Sequence, residues 1–577
     1  MLVLALTLAA LPASGSDTLG DTSYYLGDIH AHSGVSGDGG SNDLTGTCRF
    51  DCGDFEDIFQ TARDNGLDFA AVSDHVNGLK VPASASDYAD LVDLAIAEND
   101  VVGGFITLPA AEVWLMEGGA KLGHKTLLMF GEDADLATFD ITDAQPIGST
   151  AMDVVTCGAV ETWATNLEAS FGHVLLVPHH PAASVPMPTD WDCHSELFEP
   201  MVEVYSEHGN SMGDSVGYDD MWSGDAADST VHEAIDPDAS ALRLGFGAGT
   251  DKHNSRPGDV CELDDEMPNH PYGGGLTLVA IPTADGFDRE QIYDAMQERR
   301  TIATTGTSMP VAITFTSGGA ALGTLGDELG LPVDQDLDVD VEVPADLAAY
   351  VTAVDLVTPE GRFPMTDEGG GLFDTTITEA EAGGWVYAAV EIDGDLWYGT
   401  AGCDDGGLDT LEYEWTSPSY IDSVAGDLDG DGQTYLEGDC DDGDASVYDG
   451  AGCGEEAAEI ADTGAVAAAE EGDAAVADTG EAVTTEAAEP DAEEAVAVEE
   501  AEAVVEEELP TSDASEEAEA VEEAVEECIV EEEAAAVPAD ESVTTVEEAP
   551  ASTGTWSDDA DAPEPWSRPR RHRHRRH

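Results

Sequence analysis

The chain has 577 residues and a formal net charge of −106, because 124 Asp and Glu stand against 18 Lys and Arg. A surface this acidic would repel a polyanion, which excludes a general nucleic-acid-binding surface. The length is sufficient for two or three domains. The acidic excess suits a surface that works at high salt, where charge repulsion is screened. A base-composition bias that depletes lysine explains the excess equally well.

Residues 1–16 have the pattern of a secretory signal peptide. An apolar run from Leu2 to Leu11 is followed by small residues up to Ser16, as in the hydrophobic region and cleavage zone of such a signal. No lysine or arginine precedes the run, which departs from the usual pattern. The run is too short for a mature membrane anchor, and no later run is long and apolar enough. We therefore expect an exported protein, periplasmic, on the outer surface or extracellular, without a transmembrane anchor.

The nine cysteines fit an oxidising compartment. Their spacing suggests two disulfides, Cys48 with Cys52 and Cys440 with Cys453. The sequence does not determine the pairing among the remaining candidates, which are Cys157, Cys193, Cys261 and Cys403.

Apolar segments in the first 306 residues are predicted to be strands that end in histidine or carboxylate side chains. The strand at 24–26 leads to His30 and His32, and a strand at 67–72 leads to Asp74 and His75. Helical spacing over 55–65 lies between them, and further helices are predicted over 86–99 and 288–300. This order is a βαβ unit, in which ligands bind at the carboxyl ends of the strands. Repetition of the pattern predicts a parallel barrel with a site at one mouth.

The residue types at these strand ends are those that hold divalent metal ions. Residues two apart on a strand face the same side, so His30 and His32 can share one ion. Apart from three histidines near the C terminus, every histidine lies between His30 and His270. Mixed His, Asp and Glu ligands suit Zn, Mn or Fe rather than calcium. The alternative for each histidine taken singly is a structural role.

On these residues the chain resembles the polymerase and histidinol phosphatase (PHP) superfamily, and within it the subgroup DUF3604. The motifs that carry the resemblance are His30-x-His32, Asp74-His75, Glu112, His124, His180-Pro181 and Asp251-x-His253, with longer similar stretches at 25–32, 202–211, 249–258 and 299–306. The resemblance covers roughly residues 20–306. It implies an α/β fold with a distorted (β/α)7 barrel and a phosphoesterase site with two or three metal ions.

The resemblance also implies which residues bind each ion. The first ion would be held by His30, His32, Glu112 and Asp251, the second by Asp38, His75 and His253, and the third by Glu112, His124 and His180. The family often has histidine where Asp38 stands. His179 is an alternative to His180, because the doubled histidine leaves the register open. Asp74 is expected to orient its neighbour.

Such a site points to hydrolysis of a small anionic phosphate ester. Closely spaced divalent ions lower the pKa of a bound water and stabilise the oxygens of a phosphoryl transfer. Asp251 and His208 are the expected catalytic residues, with His208 as proton donor or phosphate ligand. The only lysines, Lys80, Lys121, Lys125 and Lys252, follow or flank these motifs. Lys80, Lys252 and Arg256 are expected to bind the substrate, unless they only offset ligand carboxylates.

The rest of the chain divides by composition. A small β-sandwich, accessory or merely structural, is predicted over 307–418. An Asp-rich segment over 419–453 carries Asp427, Asp429 and Asp431 in a calcium-loop pattern, although a solvated acidic turn explains it too. Residues 454–577 are predicted to be a disordered acidic tail. Its basic end could associate with a cell surface or be incidental.

The predicted domains are thus 1–16, 17–306, 307–418, 419–453 and 454–577. Two other functions stay open from the sequence. The first is a non-catalytic metal-binding or surface protein, and the second is a metallohydrolase that cleaves C–N or C–O bonds.

Overall fold

Strands outnumber helices in the mixed α/β structure of this chain. The computed structural model describes residues 17–35, 55–77, 83–117, 120–145, 153–154, 156–184, 187–213, 221–237, 239–261, 272–333, 335–393 and 411–424, all within one compact unit. Several predicted features lie outside the described residues: the signal peptide, the two expected disulfides, the calcium-loop residues Asp427, Asp429 and Asp431, and the acidic tail.

The region before residue 306 contains the strands that approach the predicted site. Its strands are β1 (Asp17–Leu19), β2 (Thr22–Asp28), β3 (Phe69–Val72), β4 (Ile106–Glu117), β5 (Ala120–Met129), β6 (Asp153–Val154), β7 (Val174–His179), β8 (Met201–Ser206), β9 (Gly209–Asn210), β10 (Gly245–Ala248), β11 (Leu276–Pro282) and β12 (Thr301–Thr304). Its helices are α1 (Ile58–Asp64), α2 (Ala85–Glu98), α3 (Asp133–Leu136), α4 (Cys157–Phe171), α5 (Val231–Ile235) and α6 (Arg289–Gln297), with 3-10 turns at Phe55–Asp57, Trp191–Cys193 and Ala227–Ser229.

The predicted helices form close to the expected positions because residues that cap helices directly precede them in the sequence. The Ser84 side chain accepts a hydrogen bond from Asp87 N at the start of α2, and Asp288 accepts one from Gln291 N at the start of α6. Gly66 ends the turn that follows α1, with a positive φ of +84° that glycine adopts readily. Helix α4 was not predicted, although its buried Val160, Trp163, Ala164 and Leu167 follow helical spacing.

The main sheet is mixed rather than parallel. Strands β2, β3 and β4 are parallel neighbours, but β5 is antiparallel to both β4 and β7, and β11 is antiparallel to β2 and β12. The expectation of an all-parallel set is therefore wrong. Only two residues connect β4 to β5, and so short a connection can join only antiparallel strands. Among the described residues, the strand ladders do not close into a barrel.

Residues 307–424 add a strand-rich region that continues the main sheet. Its strands are β13 (Ala312–Ser317), β14 (Ala320–Thr324), β15 (Glu328–Pro332), β16 (Asp336–Glu342), β17 (Val351–Thr358), β18 (Gly361–Pro364), β19 (Thr366–Gly369), β20 (Leu372–Thr378), β21 (Trp385–Asp393), β22 (Leu411–Thr416) and β23 (Ser419–Val424). It also has a short helix α7 (Glu379–Ala382) and a 3-10 turn at Ala348–Tyr350. Strand β22 pairs with β12 and β21, so hydrogen bonds cross the boundary predicted at residue 306. A five-stranded antiparallel sheet has the order β14-β13-β16-β20-β19.

One disulfide links two elements near the strand ends. Cys157, at the start of α4, is bonded to Cys193 in the 3-10 turn after β7, with their Cα atoms 5.3 Å apart. Cys261 also belongs to a disulfide. Across the described ranges, no helix combines the length and apolar character that a membrane crossing needs.

Candidate metal centre

The predicted ligands converge at one edge of the main sheet. His30 and His32 directly follow β2, His75 follows β3, and Asp251 follows β10. Backbone bridges join Ala31 to Lys252 and His75 to Glu112, so the strand ends are tied side by side. Strands β4 and β5 bring Glu112 and His124 to the same place, and β7 ends at His179.

Four buried side chains surround a common point. His32 Nε2 lies 3.1 Å from Glu112 Oε2 and 3.1 Å from Asp251 Oδ1. His30 Nε2 lies 3.5 and 3.3 Å from the same two oxygens and 3.2 Å from His32 Nε2. Ligand atoms about 2.1 Å from a tetrahedral ion are roughly 3.4 Å apart. The spacing of His30, His32, Glu112 and Asp251 therefore fits one divalent ion.

Each of the two carboxylates faces more than one group of histidines. Glu112 Oε2 is 3.3 Å from His75 Nδ1, whereas Glu112 Oε1 is 3.2 Å from His124 Nδ1 and 3.4 Å from His179 Nε2. Asp251 Oδ1 faces His30 and His32, and its Oδ2 lies 3.1 Å from His208 Nε2. This arrangement suits carboxylates that bridge neighbouring ions.

The remaining predicted ligands fall into groups around this core. His32, His75 and His253 form one group, and His124, His179 and His180 form another, so both members of the doubled histidine are at the site. His253 stacks on His32 with ring centroids 4.1 Å apart, and His253 Nδ1 lies 2.8 Å from the Asp251 carbonyl oxygen. The predicted ligand Asp38 lies outside the described residues.

Two observations indicate that the residues of this centre suit metal ions. Among the described residues, His124 Nε2 and His179 Nδ1 have no hydrogen-bond partner, although both nitrogens are buried. Such unpaired buried polar atoms are costly unless something binds them. Burial lowers the pKa of His124 and brings that of His179 to about 3, so both imidazoles are in the neutral form that binds metals.

The carboxylates at the centre are ionised. Burial opposes this, but His75 and His179 hold the pKa of Glu112 well below its usual range, and His30 and His208 do the same for Asp251. Burial likewise opposes protonation of His32, but Asp251 and Glu112 raise its pKa to about 9. Without a metal ion, His32 thus holds a proton beside these carboxylates, and a divalent cation would compete with that proton for the same negative charge.

The centre opens toward solvent on one side. The side chains of His208 and His253 are 11% and 12% exposed, whereas those of His30 and His32 are fully buried. His180 borders the opening, with its ring centroid 5.2 Å from that of His208. His208 and His253 are therefore the more accessible histidines of the centre.

The lysines near the ligands have a structural role where they are described. Lys252 is fully buried, with its Nζ 2.9 Å from Glu207 Oε2, and Lys125 Nζ lies 2.9 Å from the buried Glu199 Oε2. The contact of Lys252 with Glu207 fits the alternative in which this amine offsets a carboxylate, and substrate binding by Lys252 stays a prediction. Arg256 is half-buried in the loop after His253, and Lys80 lies outside the described residues.

Buried polar residues around the ligands support the geometry. Asp28 accepts hydrogen bonds from His30 N, Thr250 N and Gly258 N, at 3.1, 3.0 and 2.9 Å, and so ties the end of β2 to the loop after β10. Asp74 accepts hydrogen bonds from the backbone N–H and the hydroxyl group of Ser33. The expected orienting role of Asp74 is thus exerted on the loop after His32.

Two supporting residues were missed in the sequence. Trp114 Nε1 donates to Glu112 Oε1 at 2.7 Å, and Glu203 Oε2 lies 2.9 Å from His30 Nδ1. Glu203 lies among apolar residues of β8 (Met201–Ser206), and a carboxylate buried in an apolar strand indicates that a polar partner lies beside it. Comparison of the chain with protein-family models, with curated proteins and with solved structures found no match.

Proposed function

We propose that this chain is an exported metal-dependent hydrolase, a phosphoesterase that uses two or three divalent transition metal ions, Zn, Mn or Fe. The observation that carries the proposal is the position of Glu112 and Asp251. Each of these carboxylates directs its two oxygens at different imidazoles within 3.5 Å. A single structural ion needs only one set of four ligands. It would not explain why two carboxylates are each shared among several groups of histidines.

The chain's own residues have separate tasks in this proposal. When bound, the ions would supply an activated water and neutralise charge on the phosphoryl oxygens. Glu112 and Asp251 hold the ligand groups at a fixed spacing. His208, which lies beside Asp251 Oδ2 and is partly exposed, would deliver a proton from its imidazole to a leaving oxygen at the opening. The buried walls around His30 and His32 exclude bulk water.

The distorted (β/α)7 barrel and PHP membership belong to the same proposal. Support comes from the parallel neighbours β2, β3 and β4, and from the parallel pair β8 and β10. Backbone hydrogen bonds from His32 N to Lys252 O at 2.9 Å and from Asp251 N to His30 O at 2.8 Å bring β10 beside β2. The disulfide between Cys157 and Cys193 supports export to an oxidising compartment.

The test begins with metal content and ester hydrolysis of the full-length chain. Metal would be counted by inductively coupled plasma mass spectrometry, and p-nitrophenyl phosphate and bis-p-nitrophenyl phosphate would be assayed with Mn, Zn or Fe(II). We expect two or three ions per chain and hydrolysis of at least one ester. His30→Ala should lose both properties. The matched control is His173→Ala, since this half-exposed histidine pairs with Glu168 away from the centre.

The outcomes separate the proposal from its alternatives. Bound metal without turnover of either ester would favour a non-catalytic metal-binding or surface protein. Bound metal with turnover only of amide or other C–N and C–O substrates would indicate a different metallohydrolase. Absence of bound metal in the unsubstituted chain would refute the metal centre itself.

A further inference from the structure

We propose that Glu203 is a positioning residue that fixes His30 so that His30 Nε2, and not Nδ1, faces the candidate metal centre. The proposal rests on the proposed metal centre and gives a role to a residue of the stretch 202–211 to which the sequence assigned none. Glu203 lies on β8, two positions before Tyr205, whereas His30 follows β2. The contact therefore joins two strands that are far apart in the sequence.

The geometry assigns different tasks to the two nitrogens of His30. Nδ1 lies 2.9 Å from Glu203 Oε2, and Nε2 faces His32, Glu112 and Asp251 at 3.2 to 3.5 Å. At this distance the carboxylate oxygen can accept a hydrogen bond from Nδ1–H, and this is the tautomer that leaves Nε2 free to bind an ion. The neutral ring then has its lone pair on Nε2, where the other ligands converge. A carboxylate behind a ligating histidine also increases the basicity of the ligand.

The backbone next to Glu203 and His30 leaves room for their contact. A Cβ atom at Gly249 would lie 2.5 Å from His30 Cβ and 2.8 Å from Glu203 Oε2. Any larger residue at Gly249 would therefore displace one partner or the other. Strand β10 runs parallel to β8, and Gly249, directly after β10, leaves room for the carboxylate to reach His30.

The burial of the pair indicates why a carboxylate stands here. Glu203 is 1% exposed and His30 is fully buried. A buried charge in an apolar strand is costly, and an apolar residue of similar size is often as stable or more stable. Packing alone therefore does not explain Glu203, whereas control of the His30 ring does.

The test compares Glu203→Gln and Glu203→Leu in the full-length chain. Glutamine keeps an acceptor for Nδ1 but removes the charge, and leucine removes both. The matched control is Glu168→Gln, which alters the same kind of contact at a half-exposed site outside the centre. There, Glu168 Oε1 lies 3.1 Å from His173 Nδ1. Zinc affinity would be measured by competition with a chromophoric chelator. The visible absorption of the cobalt(II)-loaded chain would report ligand geometry.

We expect Glu203→Leu to bind its tightest zinc ion about 10- to 100-fold more weakly and Glu203→Gln to lie between it and the unsubstituted chain. The cobalt(II) spectrum should change for both variants and stay constant for Glu168→Gln. Thermal unfolding of the metal-free chains controls for folding, because a merely structural role would change the melting temperature but not the cobalt(II) spectrum of the folded fraction.

Two results would overturn the role of Glu203. One is unchanged zinc affinity and an unchanged cobalt(II) spectrum in Glu203→Leu. The other is a loss of affinity in both variants that matches their loss of folded protein. Failure of the metal centre itself is distinguishable, since then the unsubstituted chain and Glu168→Gln would bind no metal either.

Discussion

Replacement of Glu414 by glutamine should change how the stability of this protein depends on pH. Glu414 lies on β22 and is fully buried. Its Oε1 accepts hydrogen bonds from Thr307 Oγ1 at 2.7 Å and from Met309 N at 2.8 Å. Burial nevertheless raises the pKa of Glu414 from 4.5 to about 8, because two hydrogen bonds do not offset the loss of water around a carboxylate.

The sign and size of the effect follow from proton linkage. Above pH 4.5 the unfolded chain has released this proton, whereas the folded chain keeps it up to about pH 8. The free energy of unfolding therefore decreases as the pH rises through this window, by about 1.4 kcal/mol per pH unit. Over the whole window the contribution of Glu414 is on the order of 5 kcal/mol. Glutamine has no proton to lose, so Glu414→Gln removes this slope.

The assay is urea unfolding of the full-length chain, followed by tryptophan fluorescence at several pH values between 5 and 9. We expect the free energies of unfolding of the unsubstituted chain and Glu414→Gln to diverge with pH. The variant gains relative stability up to about pH 8 and stays constant above it. Glu360→Gln, at an exposed position, serves as the control and should run parallel to the unsubstituted chain. Parallel curves for Glu414→Gln would refute the reasoning.

Three further substitutions test contacts around the site. Trp114→Phe removes the N–H that donates to Glu112 at 2.7 Å, and chelator competition should show about tenfold weaker zinc binding; unchanged binding would contradict this. Replacing Cys157 and Cys193 together by serine should lower the free energy of unfolding by about 2–4 kcal/mol in urea titration. Arg289→Met should lower it by about 2–3 kcal/mol, since buried backbone carbonyls lose their donor; an unchanged urea midpoint would argue against either effect.

Local patterns in the sequence were sufficient to predict most of the residues that converge at the candidate metal centre. Alternation on a strand places His30 and His32 on one side, and the carboxyl ends of neighbouring strands place His75 and Asp251 beside them. Helical spacing over 55–65, 86–99 and 288–300 located three of the helices. These features depend on residues a few positions apart, so they can be read without knowledge of the fold.

The tertiary structure alone decided the contacts between distant segments. The antiparallel course of β5, the bond between Cys157 and Cys193, and the pairing of Lys252 with Glu207 join parts of the chain whose approach no local period encodes. Lys252 is the clearest case. Its position between two ligands suggested a substrate-binding cation, but whether a buried amine meets a substrate or a carboxylate depends on which strand packs against it. The sequence determined which groups could bind metal, and packing determined which of their neighbours hold them in place.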